Sequence, residues 1–85
     1  MIDAEQKEKL LEISTGLEEF SGRLGLDAEE TAEIESLAGQ LKADLVTGGG
    51  EEATRLAGQI RAQLAGLEGN RLATGVVEQI DSIIG

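Results

Sequence analysis

There is no cysteine, histidine, proline, tryptophan or tyrosine among the 85 residues, and Phe20 is the one aromatic side chain. Without cysteine or histidine there can be no disulfide, no thiol or imidazole nucleophile, no imidazole base and no zinc site of ordinary composition. Positive charge is scarce as well: seven Lys or Arg stand against seventeen Asp or Glu, for a net charge of −10. That balance disfavours binding to nucleic acid phosphates or to an anionic membrane surface. No apolar run approaches the ~20 residues of a membrane span, and no segment resembles a signal peptide, so a cytoplasmic location is expected. The length supports one domain, residues 1–85, expected to be a module of a larger protein.

What the chain does contain is helical periodicity. The large apolar residues Leu10, Ile13, Leu17, Phe20 and Leu24 alternate three and four apart, which predicts a helix over 3–24 with one buried stripe. Asp3, with Gln6 three residues later, suits its N-cap, and Gly25 suits a left-handed stop. Asp27 and Glu30 repeat the capping spacing, so a second helix is predicted over 27–47, burying Ile34, Leu37, Ala38, Leu41 and Leu45. Gly48, Gly49 and Gly50 form an unmistakable loop. A third helix follows over 51–66, with Glu51 and Glu52 at its start, where the helix dipole favours negative charge. Its stripe is Ala53, Leu56, Ala57, Ile60, Leu64 and Leu67.

The last third has two readings. The stripe Ala62, Gly66, Gly69, Ala73, Val77, Ile80 and Ile84 never loses phase, so 51–84 can be drawn as one kinked helix. A break between Gly66 and Asn70, with Asn70 capping a fourth helix over 69–84, is the favoured reading. An unbroken helix would be ~50 Å long and would outrun its partners. The fold class expected is therefore all-α, a small antiparallel up-down bundle of three to four helices.

An internal repeat bears on the packing. Leu37-Ala-Gly-Gln-Leu-Lys-Ala-Asp-Leu45 recurs as Leu56-Ala-Gly-Gln-Ile-Arg-Ala-Gln-Leu64, with six of nine positions identical. Reversal near Gly49 sets Gly39 level with Gly58, Leu41 with Leu56 and Leu37 with Ile60. A mid-helix glycine costs about 1 kcal/mol relative to alanine. Gly39 and Gly58 are thus expected to be close-packing points where two backbones approach.

No residue pattern points to a reaction. Ser14, Thr15, Ser21, Thr47 and Thr74 have no imidazole base, and the lysines at 7, 9 and 42 have no setting for a Schiff base. The triple glycine lacks the Lys-Ser/Thr of a phosphate loop. Glu29 and Glu33 are one turn apart, but solvated acids are the commoner explanation than a shared cation. No Asp-x-Asp-x-Asp-Gly calcium loop and no Glu-x-x-His di-iron motif is present. Neither a cofactor, a metal nor catalysis is expected.

Charge is unevenly spread. Residues 1–35 hold eleven acids and three bases, net −8, whereas 36–85 hold six and four, net −2. The first part reads as solvated surface, and a contact surface is expected in the second. There Leu72, Val76, Val77, Ile80, Ile83 and Ile84 make an apolar arc broader than one neighbouring helix needs. The interface residues expected are Val76, Val77, Ile80, Ile83 and Ile84, with Gly69 and Ala73 permitting close approach. The partner is expected to be another copy, the parent protein or a second protein, with no direct nucleic acid or membrane contact. The alternative is a free-standing acidic inhibitor that mimics nucleic acid and blocks a basic partner.

The segment Leu64-Ala-Gly-Leu-Glu-Gly-Asn-Arg-Leu-Ala-Thr-Gly-Val-Val77, followed by Glu-Gln-Ile-Asp-Ser-Ile-Ile84, resembles the closing helix of a C-terminal helical module. Such modules occur in uncharacterised bacterial proteins, including AbiTii-like abortive-infection and other conflict-system proteins. Gly66, Gly69, Asn70, Ala73 and Gly75 match its packing pattern, and Leu24-Gly-Leu-Asp-Ala-Glu-Glu30 is similar to its turn. Arg71, Val76 and Val77 depart from it. The resemblance implies a helical bundle that senses or assembles, and it carries over no catalytic residue.

Overall fold

A computed structural model of the chain describes residues 3–67 and 69–84. It contains four helices in sequence, α1 (Ala4–Phe20), α2 (Ala28–Thr47), α3 (Ala53–Ala65) and α4 (Arg71–Ile84), with no strand among the described residues. Helices consecutive in the chain pack most extensively, and α4 returns to lie more lightly against α1. The radius of gyration of 11.8 Å equals the ~12 Å expected of a folded chain this long, so all four helices dock as one body.

Each boundary has a local cause. Asp3 and Gln6 form a complete capping box: Gln6 N–H donates to Asp3 Oδ1 at 2.8 Å, and Asp3 N–H to Gln6 Oε1 at 3.0 Å. At Asp27 only half of the box forms, with Glu30 N–H donating to Asp27 Oδ1 at 2.8 Å. The first helix ends earlier than its periodicity suggests. Phe20 leaves helical geometry at φ −122°, ψ 24°, and the chain tightens into a single 3-10 turn, Ser21–Arg23. That turn keeps Leu24 in the core and lets buried Ser21 donate to Glu35 Oε1 at 2.8 Å, tying the end of α1 to α2.

The glycine loop is organised by a residue the sequence pattern does not announce. The Asp44 carbonyl accepts from Gly48 and Gly50, both at 3.0 Å, and its carboxylate accepts from Glu52 N–H, also at 3.0 Å. Gly49 and Gly50 take φ of +82° and +84°, where a side chain would be strained. Glu51 and Glu52 therefore lie in the turn, and α3 starts at Ala53, two residues later than expected.

The favoured break in the last third is present: α3 stops at Ala65, Gly69 adopts φ +79°, and α4 begins at Arg71. Asn70 caps α4, its Oδ1 accepting from Ala73 N–H at 3.1 Å.

The core is made of the expected stripes, Leu10, Ile13, Leu17 and Leu24 with Ile34, Ala38, Leu41 and Leu45, and with Leu56, Ile60 and Leu64 of α3. The expectation for Gly39 and Gly58 fails. No heavy atom would lie within 4 Å of a Cβ at either position, neighbouring backbone of the same helix aside. Hairpin arithmetic sets which residues are level, but not how each helix is rotated. Rotation is fixed by the buried faces, and each glycine points ~130–145° away from its own at 3.6 residues per turn.

Candidate functional site

The expected C-terminal interface is largely spent inside the molecule. Ala73, Ile80 and Ile83 are buried in the core, and Val76, Val77 and Ile84 are half-buried against it. Gly69 is exposed in the turn before α4. These residues do not form one open arc, so partner contact through Ile80 would require the bundle to open. Of the large apolar side chains among the described residues only Val46 and Leu72 are well exposed, at 64% and 45%, and they lie on different helices.

What the structure does present is a groove of about 480 Å³ along the seam between α1 and α4. Its lining includes Ile13, Gly16 and Phe20 from α1 and Val76 and Ile83 from α4. Lys9 and Glu12 stand on the α1 side, Gln79 and Ser82 on the α4 side. The one aromatic ring folds back over the one glycine within α1. A Cβ on Gly16 would come within 2.8 Å of Phe20 Cζ. The glycine thus accommodates the ring, and Phe20 remains half-buried at the groove.

Two side-chain amides hold the seam at its ends. Gln6 uses its oxygen in the α1 capping box and donates through Nε2 to the Ile83 carbonyl at 2.9 Å. Asn70 uses its oxygen to cap α4 and donates through Nδ2 to the Leu24 carbonyl at 2.6 Å. Each amide therefore starts one helix and fastens it to the far end of the other. The sequence shows Gln6 and Asn70 as caps, but nothing in local spacing reveals their second bonds, which join residues 77 and 46 positions apart.

The groove also crosses the division drawn from charge. One wall belongs to the acidic first part of the chain and the other to the nearly neutral remainder. On α1, Glu5, Glu8, Glu12 and Glu19 are exposed and recur at helical spacing along the edge beside Ile13 and Gly16. Lys9 is ion-paired to Glu5 at 3.6 Å. On the far side of α4, Arg61 of α3 hydrogen-bonds Asp81 and holds its carboxyl below the usual carboxylate range.

The run Asp27, Glu29, Glu30 and Glu33 lies exposed at the start of α2. Its mutual repulsion, from Asp27 above all, raises the Glu30 pKa. Among the described residues no three carboxylates are arranged to hold a metal ion. Several hydroxyls serve structure: Ser14 donates to the Leu11 carbonyl, Thr47 to Ala43 and Ser82 to Gln79. Among the described residues no helix is long and apolar enough to cross a membrane.

No protein-family profile, curated protein or solved structure matches this chain.

Proposed function

We propose that the chain is a non-catalytic protein-binding module whose contact surface is the α1–α4 groove. The observation that carries this reading is the groove itself: apolar at its floor, polar along both edges, and fastened at both ends by Gln6 and Asn70. Helix pairs with such a floor accept an additional helix by burying its apolar face. Val76 and Ile83 of the expected interface contribute to this surface, while Ala73 and Ile80 support it from the core. An assembling module of the kind seen in bacterial conflict-system proteins is compatible with this reading.

A photo-crosslinking amino acid placed at Glu12 or Gln79, on the two edges of the groove, tests it in the organism that makes the protein. Discrete adducts at both positions, and none from Gln59 in the α2–α3 cleft, are the expected result. Absence of adducts at every position overturns the reading.

The second reading is an acidic inhibitor of a basic partner. It is favoured by the exposed carboxylates Asp27, Glu29, Glu30 and Glu33 crowded at the start of α2. Its signature is adducts from Glu33 instead of from the groove.

A further inference from the structure

Resting on the groove reading above, we infer that the α1–α4 groove takes an amphipathic helix of a different protein, carrying Lys or Arg along one flank. The two walls of the groove differ in charge. On α1, Glu12 lines the groove and Glu8 and Glu19 stand exposed on the same side of the helix, while Glu5 and Lys9 pair with and offset each other. The α4 edge presents the uncharged Gln79 and Ser82. A helix laid between them meets negative potential on one side only, so it binds best with cations on that side and polar or small residues on the other.

The floor sets the rest of the occupant. Ile13, Val76 and Ile83 offer apolar surface together with the Phe20 ring, which lies over Gly16. α4 has 14 residues, ~21 Å at 1.5 Å per residue, so the matching occupant is a helix of about four turns. The α2–α3 cleft is a poorer host, because Leu37 is the one large apolar side chain among Glu33, Ser36, Gln40, Gln59 and Gln63.

A second copy does not fit the requirement. Its basic residues are scattered: Lys7 and Lys9 lie on different faces of α1 with Lys9 paired to Glu5, Arg23 lies in the turn after it, Lys42 is alone on α2 and Arg71 alone on α4. The two on α3 are ion-paired, Arg55 to Glu52 and Arg61 to Asp81. Among the described residues, therefore, no helix offers a row of bases along one flank, and two chains of net charge −10 repel.

The test uses the full chain and a fluorescein-labelled 16-residue helical peptide with leucines at i, i+4, i+7 and i+11 and lysines along one flank. Anisotropy titration should give saturable binding that weakens at least tenfold between 50 and 300 mM NaCl. A peptide with glutamates on the same flank should bind at least tenfold more weakly. Two exposed variants separate groove from general charge: Glu8→Lys with Glu12→Lys should cost tenfold or more, while Glu29→Lys with Glu33→Lys on α2 should change the affinity less than twofold. Amide shifts on binding should concentrate on α1 and α4 near Gly16, Phe20, Val76 and Gln79. Equal binding of the two peptides, equal effects of the two double variants, or shifts centred on α2 would overturn the inference. If crosslinks form at Glu12 and Gln79 but the lysine peptide fails, the association reading stands and the basic-helix occupant falls.

Discussion

Asn70 Nδ2 donates to the Leu24 carbonyl at 2.6 Å while Asn70 Oδ1 caps α4, so one side chain joins the start of the last helix to the corner after the first. The two roles separate by substitution. Serine caps about as well as asparagine, but its side chain is too short to keep the reach to Leu24. Asn70→Ser should therefore lose about 1 kcal/mol, the worth of a net hydrogen bond. Asn70→Ala, which loses the cap as well, should lose roughly 2 kcal/mol. Urea unfolding measures both. Asn70→Ser at wild-type stability would show that the Leu24 bond contributes nothing.

The Gly16–Phe20 pair sets two effects against each other. Alanine in the helix interior is worth about 1 kcal/mol over glycine. A Cβ at Gly16, however, would approach Phe20 Cζ to 2.8 Å, and the ring must swing away. Gly16→Ala should therefore change stability little while moving the Phe20 ring resonances by NMR. In a Phe20→Leu background the ring is absent, and the same substitution should stabilise by about 1 kcal/mol. Equal effects of Gly16→Ala in the two backgrounds would show that the ring is not held there.

Much of this arrangement was legible in the chain itself. Spacing of Leu10, Ile13, Leu17 and their counterparts gave an all-α bundle of three to four helices and the buried faces of the first three, because a 3.6-residue period is a local property. Asp3, Asp27 and Asn70 were readable as caps for the same reason. The groove was not. It depends on how α4 docks on α1, and its end fasteners, Gln6 to Ile83 and Asn70 to Leu24, are bonds between residues far apart in sequence. Nor could spacing show that Ile80 and Ala73 face inward, since an apolar arc on an isolated helix looks the same whether a neighbour or a partner covers it. The charge division could not show it either, because it follows the chain, whereas the groove takes one wall from each end of it.

The Arg61–Asp81 pair gives a pH prediction. Its hydrogen bond from Arg61 lowers the folded-state pKa of Asp81, whereas in the unfolded chain the carboxyl titrates near about 3.9. Between the two values the unfolded state binds more protons, so stability falls as pH falls. The contribution of the pair is complete above the unfolded value and is lost as pH drops through the folded one. Thermal melts of the wild type should lie above those of Asp81→Asn by a constant margin from pH 7 to about 5, and that margin should shrink below about pH 4. Because both side chains are partly exposed, 0.5 M salt should narrow the margin at pH 7. A margin unchanged down to pH 2.5 would assign the effect to packing rather than to the ion pair.

Gly39 and Gly58 supply the prediction that most directly opposes the sequence expectation. If the repeat existed to bring two backbones together, alanine at either position would push α2 and α3 apart and destabilise the bundle. The structure instead leaves open space around a Cβ at both positions, and neither glycine has the positive φ that would strain a side chain. What remains is the intrinsic helix preference for alanine, 0.5–1 kcal/mol in each case, with reduced freedom of the unfolded chain contributing in the same direction. Gly39→Ala and Gly58→Ala should each raise stability by roughly that amount in urea unfolding, with unchanged dependence on denaturant. The two glycines point away from their buried faces and share no packing partner, so the double variant should gain about the sum, 1–2 kcal/mol. Destabilisation by either single substitution, or a double variant far from additive, would restore the close-packing reading and place the two backbones nearer than this bundle has them.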